Sequence, residues 1–191
     1  MTSGATRRAW SPRALAEGFH GKGGWLLLAL AVLVADQWTK WLVETRLAHH
    51  ASVEVIPGLF NLTHVRNTGV AFGLFASPGA DGGSWILAAL GILALVLVTL
   101  YFVATPRSQR LLLAALALVM GGAVGNLLDR IFSGAVTDFL DVYVGTHHWP
   151  SFNLADSAIT VGIALMAVDA FSPRHRTHSE GAPAEEEPTA S

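Results

Sequence analysis

Ser84–Ala104 is a run of 21 residues without a charge, and after a short link Leu111–Leu128 is another of 18. A bilayer core takes about 20 consecutive apolar residues to cross as a helix. Inside it every backbone N–H and C=O must be paired within the chain, so runs this long are helices. Two further runs are less clean. Gly24–Ala35 is apolar, passes through Asp36-Gln37-Trp38-Thr39-Lys40 and resumes at Trp41-Leu42-Val43. A cleaved leader ends in small residues. This run ends in an Asp–Lys pair and reads as a retained first span. Ala155–Phe171 is apolar between Asp156 and Asp169. The sequence therefore predicts an α-helical membrane protein with four transmembrane helices, at about 24–43, 84–104, 111–130 and 155–171.

Composition agrees. The chain is 52% hydrophobic and 14% charged, where soluble domains carry about 25% charged residues. A net charge of -2 argues against a nucleic-acid partner. The absence of cysteine excludes a disulfide framework, a thiolate zinc site and a cysteine nucleophile. The pair Arg7-Arg8 is a weak match to a twin-arginine leader, and the run after it does not look cleavable. Eight of the twelve Lys and Arg residues fall in 1–23, in the link Thr105–Arg110 or just after Phe171. The positive-inside rule places those segments, and both termini, in the cytoplasm. Residues 1–23 become a cytoplasmic extension, 24–171 the membrane domain, 44–83 and 131–154 outer loops, and 172–191 an acidic tail that reads as disordered. No internal repeat is present.

Val53–Phe75 is rich in β-branched and aromatic residues punctuated by Gly58, Asn61 and Gly69, and reads as short strands and turns. A small extracytoplasmic β-cradle between helices 1 and 2, lying on the membrane, would account for it. Asn67-Thr68-Gly69 suits a turn, and on that reading Asn67 serves backbone geometry alone. Ala76–Gly83 reads as a flexible loop.

With this orientation the unusual polar residues converge on the outer boundary of the membrane. Asp36 and Lys40 lie one helical turn apart and can pair; a matched structural ion pair is the plainer reading. Asn126, Asp129 and Arg130 share a face, and Arg130 can fork onto a carboxylate. An aspartate held that way stays ionised and donates no proton, so Asp129 reads as scaffold. Asp138 and Asp156 have no basic residue within four positions. Partial desolvation and mutual proximity favour one shared proton, which supplies a general base and a general acid together. Such a pair titrates as a unit. The plainer reading makes Asp156 a helix N-cap and Asp138 a solvated loop acid, and Asp141 rivals Asp138. Asp169, at the inner end, reads as a helix-end carboxylate in contact with water. The histidine pairs 49–50 and 147–148 lack the His-Glu-x-x-His spacing of a zinc helix. No Gly-x-Ser-x-Gly elbow is present.

Five motifs occur in order: Asp-Gln-x-x-Lys at 36–40, Asn-x-Gly-x-Ala-Phe at 67–72, Gly-Asn-x-x-Asp-Arg at 125–130, Val-x-Asp-Phe at 136–139 and Phe-Asn-x-Ala-Asp at 152–156. Over about Gly24–Phe171 the chain resembles the bacterial lipoprotein signal peptidases, or signal peptidases II. The resemblance implies a four-helix aspartic endopeptidase of the inner membrane with an extracytoplasmic β-cradle. Its substrates would be prolipoproteins carrying diacylglyceryl-cysteine, cut just before that cysteine, with membrane lipid as the other partner. It implies Asp138 and Asp156 as the catalytic pair. Asp36, Lys40, Asn67, Gly122, Asn126, Asp129, Arg130 and Asn153 would support the site and substrate. No metal or organic cofactor and no second subunit is expected. Phe139, Phe152 and the loop 59–75 would shield the site from bulk water.

Two other classes compete. A proton-coupled transporter would use intramembrane Asp and Lys residues, but it needs ionisable groups through the depth of the bilayer, and the second and third spans have none in their interiors. A purely structural subunit leaves the clustering of carboxylates without a cause.

Overall fold

The computed structural model describes residues 17–69 and 82–172. The arginine pair at 7–8, the motif residues past 69, the loop up to 81 and the tail from 173 lie outside the described residues.

Four long helices form: α1 Gly23–Arg46, α2 Gly82–Ala104, α3 Arg110–Ser133 and α4 Leu154–Ala170. α1 runs past the expected Val43 because nothing breaks it. The Thr45 hydroxyl bonds back to the Trp41 carbonyl at 2.8 Å, and the helix ends where Leu47 turns extended. α3 stops at Gly134, whose φ of 70° is a left-handed cap that costs glycine little. α1, the Trp85–Ala104 part of α2, and α3 are each long and apolar enough to cross a membrane. α4, at 17 residues, is shorter.

α3 is the central helix. Within its most apolar window 56% is buried, against 17% for α1 and 11% for α2. In lipid no hydrophobic force drives helices together, so close approach depends on small residues. A Cβ on Gly121 would stand 2.5 Å from the Ala29 carbonyl of α1, and one on Gly122 would stand 2.5 Å from the Ala155 carbonyl of α4. Gly162 does the same from α4, against the Ala115 carbonyl at 2.7 Å. The outward faces of α1, α2 and α4 leave Leu27, Val34, Leu93 and Ile163 exposed.

The two ends of the bundle differ. Where α2 turns into α3, Phe102, Leu112, Leu113 and Leu116 form an apolar cluster, with Phe19, Val98 and Met166 packed on it. Lys22, just before α1, lies in this end. Its ammonium donates to the Phe102 and Val103 carbonyls at 2.6 and 2.9 Å, satisfying the last turn of α2.

The opposite end carries a four-stranded antiparallel sheet in the order β1-β2-β3-β4. β1 Ser52–Ile56 and β2 Phe60–Asn67 meet the expectation for the first outer loop. β3 Val136–Val144 and β4 His147–His148 do not come from that loop. They belong to the connection between α3 and α4, where no strand was expected. The sheet is therefore built by the α1–α2 and the α3–α4 connections together, not only by the one between helices 1 and 2. Val-Thr-Asp-Phe-Leu-Asp-Val-Tyr-Val has strong β propensity, masked in the sequence by its two aspartates. In the β2–β3 ladder Val65 faces Asp138 and Asn67 faces Val136. Arg66 ties the sheet to α3 by donating to the Ser133 carbonyl at 2.6 Å.

Candidate active site

The polar residues gathered at the sheet end come from five elements. α1 supplies Asp36, Gln37 and Lys40. α3 supplies Asn126, Asp129 and Arg130. β2 supplies Asn67, β3 supplies Asp138, and the start of α4 supplies Asn153 and Asp156. Asp36, Lys40, Asn126, Asp138 and Asn153 are buried. Groups this polar persist inside a fold only when their partners are supplied, and here each partner can be named.

α4 begins with a reciprocal capping box. The Asn153 side-chain oxygen accepts the Asp156 N–H at 2.9 Å, and the Asp156 carboxylate accepts the Asn153 N–H at 3.2 Å. Asp156 is thus not the N-cap that the plainer reading made it; Asn153 is. A second carboxylate reaches the same terminus from another helix. Asp36 Oδ1 accepts the Ala155 N–H at 2.9 Å. Gly125 makes room for it, since a Cβ there would stand 2.5 Å from Asp36 Oδ2.

Lys40 is matched on two sides. Its Nζ lies 2.7 Å from Asp36 Oδ2, the pair expected from the one-turn spacing, and 2.7 Å from Asp129 Oδ2. Asp129 is completed by Gln37, whose amide donates to it at 2.8 Å. The expected partner, Arg130, instead donates to the Asn126 carbonyl at 3.2 Å. Spacing along α3 could not reveal this, because the cations that matter arrive from α1. Arg130 still projects its charge onto Asp129, Asp138 and Asp156.

Three asparagines link the carboxylates. Asn153 Nδ2 donates to Asp138 Oδ1 at 2.8 Å, and Asn67 Nδ2 donates to Asp138 Oδ2 at 3.0 Å. Asn126 Nδ2 donates to Asp156 Oδ1 at 2.7 Å, while its own Oδ1 accepts from Asn153 at 3.2 Å and from Lys40 at 3.0 Å. Asn67 also makes the turn expected of it, accepting the Gly69 N–H at 3.0 Å. Asn67 thus makes the turn with its oxygen and meets Asp138 with its nitrogen.

Asp138 is the deeper of the two carboxyls. Burial pushes it up from the usual carboxylate range to about 6. Its bonds from Asn67 and Asn153 oppose that rise, and the neighbouring charge of Asp156 adds to it. Asp141, the alternative to Asp138, is placed elsewhere. Three positions on along a strand it faces the other side of the sheet, where Asn61 donates to it at 2.9 Å and His148 Nδ1 lies 2.9 Å away. Phe139, next to Asp138 on β3, is buried, and Phe152 is half-buried, bridged to Leu140.

Every site residue expected from the sequence lies in this assembly. Gly122 belongs to it through packing: it seats α4 against α3 one turn below Asn126. Two members were not singled out. Gln37 closes the Asp129 carboxylate, and its signal was an amide beside Asp36 inside an apolar run. Gly125 accommodates Asp36, and its signal was a glycine adjoining Asn126.

Two solved structures share this architecture, each a bacterial membrane enzyme determined by the in meso method. One, at 2.3 Å resolution, is 30% identical and aligns with a TM-score of 0.67 over 85% of this chain and 95% of its own. The other, at 1.9 Å, is 32% identical with a TM-score of 0.68 over 79% and 94%. The fold and its buried polar end thus define a helical membrane enzyme. The family described as Signal peptidase (SPase) II matches residues 28–172. The lipoprotein signal peptidase of Symbiobacterium thermophilum is 47% identical over 142 residues, 74% of this chain and 90% of its own length. That of Burkholderia thailandensis is 48% identical over 145 residues, 76% and 86% respectively. The chain belongs to the signal peptidase II family, and so to the membrane peptidases of lipoprotein processing.

Proposed function

We propose that this chain is an aspartic endopeptidase that removes signal peptides from prolipoproteins, cutting just before a diacylglyceryl-modified cysteine. One observation carries the reading. Asp138 and Asp156, from a strand and from a helix start, are brought into one hydrogen-bonded assembly through Asn153 and Asn126.

In its reacting form the pair carries one proton. Asp138, more deeply buried, is its resting place; Asp156, only half-buried, is the base. A water gives a proton to Asp156 as its oxygen attacks the scissile carbonyl carbon. Asp138 gives its proton to the carbonyl oxygen, and a neutral gem-diol results. The gem-diol then returns a proton to Asp138 while Asp156 protonates the amide nitrogen. The C–N bond breaks, leaving a carboxyl on the signal peptide and an amine on the lipidated cysteine. General acid–base catalysis by such groups contributes roughly 10²–10⁴-fold each.

All four helices serve as spans on this reading, α4 included despite its length, since Asn153 and the sheet extend the structure past its start. The termini and the Arg107/Arg110 link lie in the cytoplasm of a bacterial inner membrane, and the pair lies at the extracytoplasmic face. Residues 1–23 and 172–191 flank the peptidase domain. The lipid tails of the substrate stay in the bilayer while its peptide reaches the boundary. The enzyme works as a monomer without metal or organic cofactor.

The test is signal-peptide release from a diacylglyceryl-modified prolipoprotein by the purified protein in detergent. Release by the wild type, and a loss of at least about 10³-fold in both Asp138→Asn and Asp156→Asn, is expected. Near-wild-type release by either variant would remove it from the pair.

A further inference from the structure

An asparagine amide has two chemically opposite ends, and which one faces a carboxylate decides whether it supports or repels the charge. Asn126 faces Asp156 with its nitrogen. The Asp156 carboxylate, which only accepts, favours that choice, and the other end of the amide fixes it. The Asn126 oxygen is engaged by the Lys40 ammonium at 3.0 Å and by the Asn153 amide at 3.2 Å. Both are donors, and an ammonium has no acceptor to offer a flipped amide. Lys40 is itself held between Asp36 and Asp129, and is 3% exposed.

We propose that Lys40 is a positioning residue for the peptidase reaction: its ammonium fixes the polarity of the Asn126 side chain, so that Asn126 donates to Asp156 and holds its carboxylate toward the attacking water. This rests on the peptidase reading above and adds to it a residue that acts through Asn126. The alternative role for Lys40 is simple neutralisation of Asp36 and Asp129. That role predicts folding and charge balance, with no coupling to Asn126.

A double-mutant cycle on turnover separates the two. It is run in an Asp36→Asn background, so that removing Lys40 leaves one carboxylate, Asp129, without its ammonium rather than two, and Gln37 still donates to that one; the new amide can still accept the Ala155 N–H. The four proteins are Asp36→Asn alone, with Lys40→Met, with Asn126→Ala, and with both. Signal-peptide release is measured over a range of lipidated prolipoprotein concentrations, with the thermal midpoint of each protein alongside.

Lys40→Met and Asn126→Ala are each expected to lower kcat by about tenfold or more in this background and to leave KM within about twofold. The protein carrying both is expected to turn over no more slowly than the Asn126→Ala protein, because Lys40 acts through Asn126. Losses that multiply, a change confined to KM, or an undiminished kcat in the Lys40→Met protein would overturn the proposal while wild-type release leaves the peptidase reading standing. If Lys40→Met fails to fold in this background, neutralisation is its role and the proposal falls. An inactive, well-folded wild type would overturn the peptidase reading itself, and the positioning role with it.

Discussion

The two ends of the helix bundle are both buried, and they are buried by opposite means. At the α2–α3 turn, Phe102, Leu113 and Leu116 pack as an apolar plug, stabilised by dense contact. At the sheet end, Asp36, Lys40, Asn126, Asn153 and Asp138 fill an equally closed space with charges and amides. A buried polar network contributes little net stability even when every partner is present, and it is costly when one is missing. The apolar end holds the helices together. The sheet end draws on that stability to keep functional groups in fixed positions. Each end also has one lysine, used differently. Lys22 completes backbone carbonyls of α2, whereas Lys40 holds side chains of three other residues.

If this contrast is right, stability and activity fail separately. Phe102→Ala, at a fully buried position, is expected to cost about 3–5 kcal/mol, read as a lower thermal midpoint in detergent. Turnover per folded molecule should stay within about twofold. A turnover loss as large as the stability loss would mean the ends are mechanically coupled.

Asp138→Asn sharpens the other side. Asp138 has a folded pKa of about 6 against an ordinary value of 3.8. A carboxyl raised in this way holds its proton more tightly in the folded chain. The wild type is therefore favoured below about pH 4, loses stability as pH rises through about 4 to 6, and levels off above. The variant lacks that loss. Its stability relative to wild type should grow by about 2–3 kcal/mol between pH 4 and pH 7, measured by thermal or chemical unfolding at each pH. A difference that stays flat with pH would show that Asp138 is not titrating in this window.

The smallest effects separate two glycines of similar appearance. A Cβ on Gly125 would press on Asp36 Oδ2 at 2.5 Å, while one on Gly91 would meet Leu127 at an ordinary 3.7 Å. Gly125→Ala is expected to lose about 1–3 kcal/mol by overpacking and to lower turnover, because it displaces the carboxylate that docks α4. Gly91→Ala should be neutral or stabilise by about 0.4–1 kcal/mol. Equal behaviour of the two variants would mean that α1 moves freely around Asp36.

The sequence made the helices legible because long uncharged runs admit one solution in a bilayer. It also exposed Asp36 with Lys40, since the pair lies within one helix at a spacing that fixes contact. The Asn-x-x-Asp of 153–156 was a capping box in plain view, although Asp156 by itself reads as the cap. What stayed hidden is the partnership between elements. Asp129 faces Lys40 and Gln37 rather than its neighbour Arg130, and β3 joins β2 across the whole length of α2 and α3. Strand pairing and inter-helix ion pairs depend on which faces meet, which no spacing along one element encodes. The same holds for Gly121 and Gly162, whose small size has meaning only against the carbonyl opposite.

On the proposed function, one end of this bundle holds the molecule together and the other does its chemistry. The direct measurement takes matched detergent preparations of wild type, Asp138→Asn and Phe102→Ala, and records thermal midpoint and signal-peptide release on each. Asp138→Asn is expected to keep or raise the midpoint at pH 7 and to release nothing measurable, and Phe102→Ala to melt earlier while its folded fraction cleaves normally. Cleavage by Asp138→Asn, or a dead Phe102→Ala with an unchanged midpoint, would contradict it.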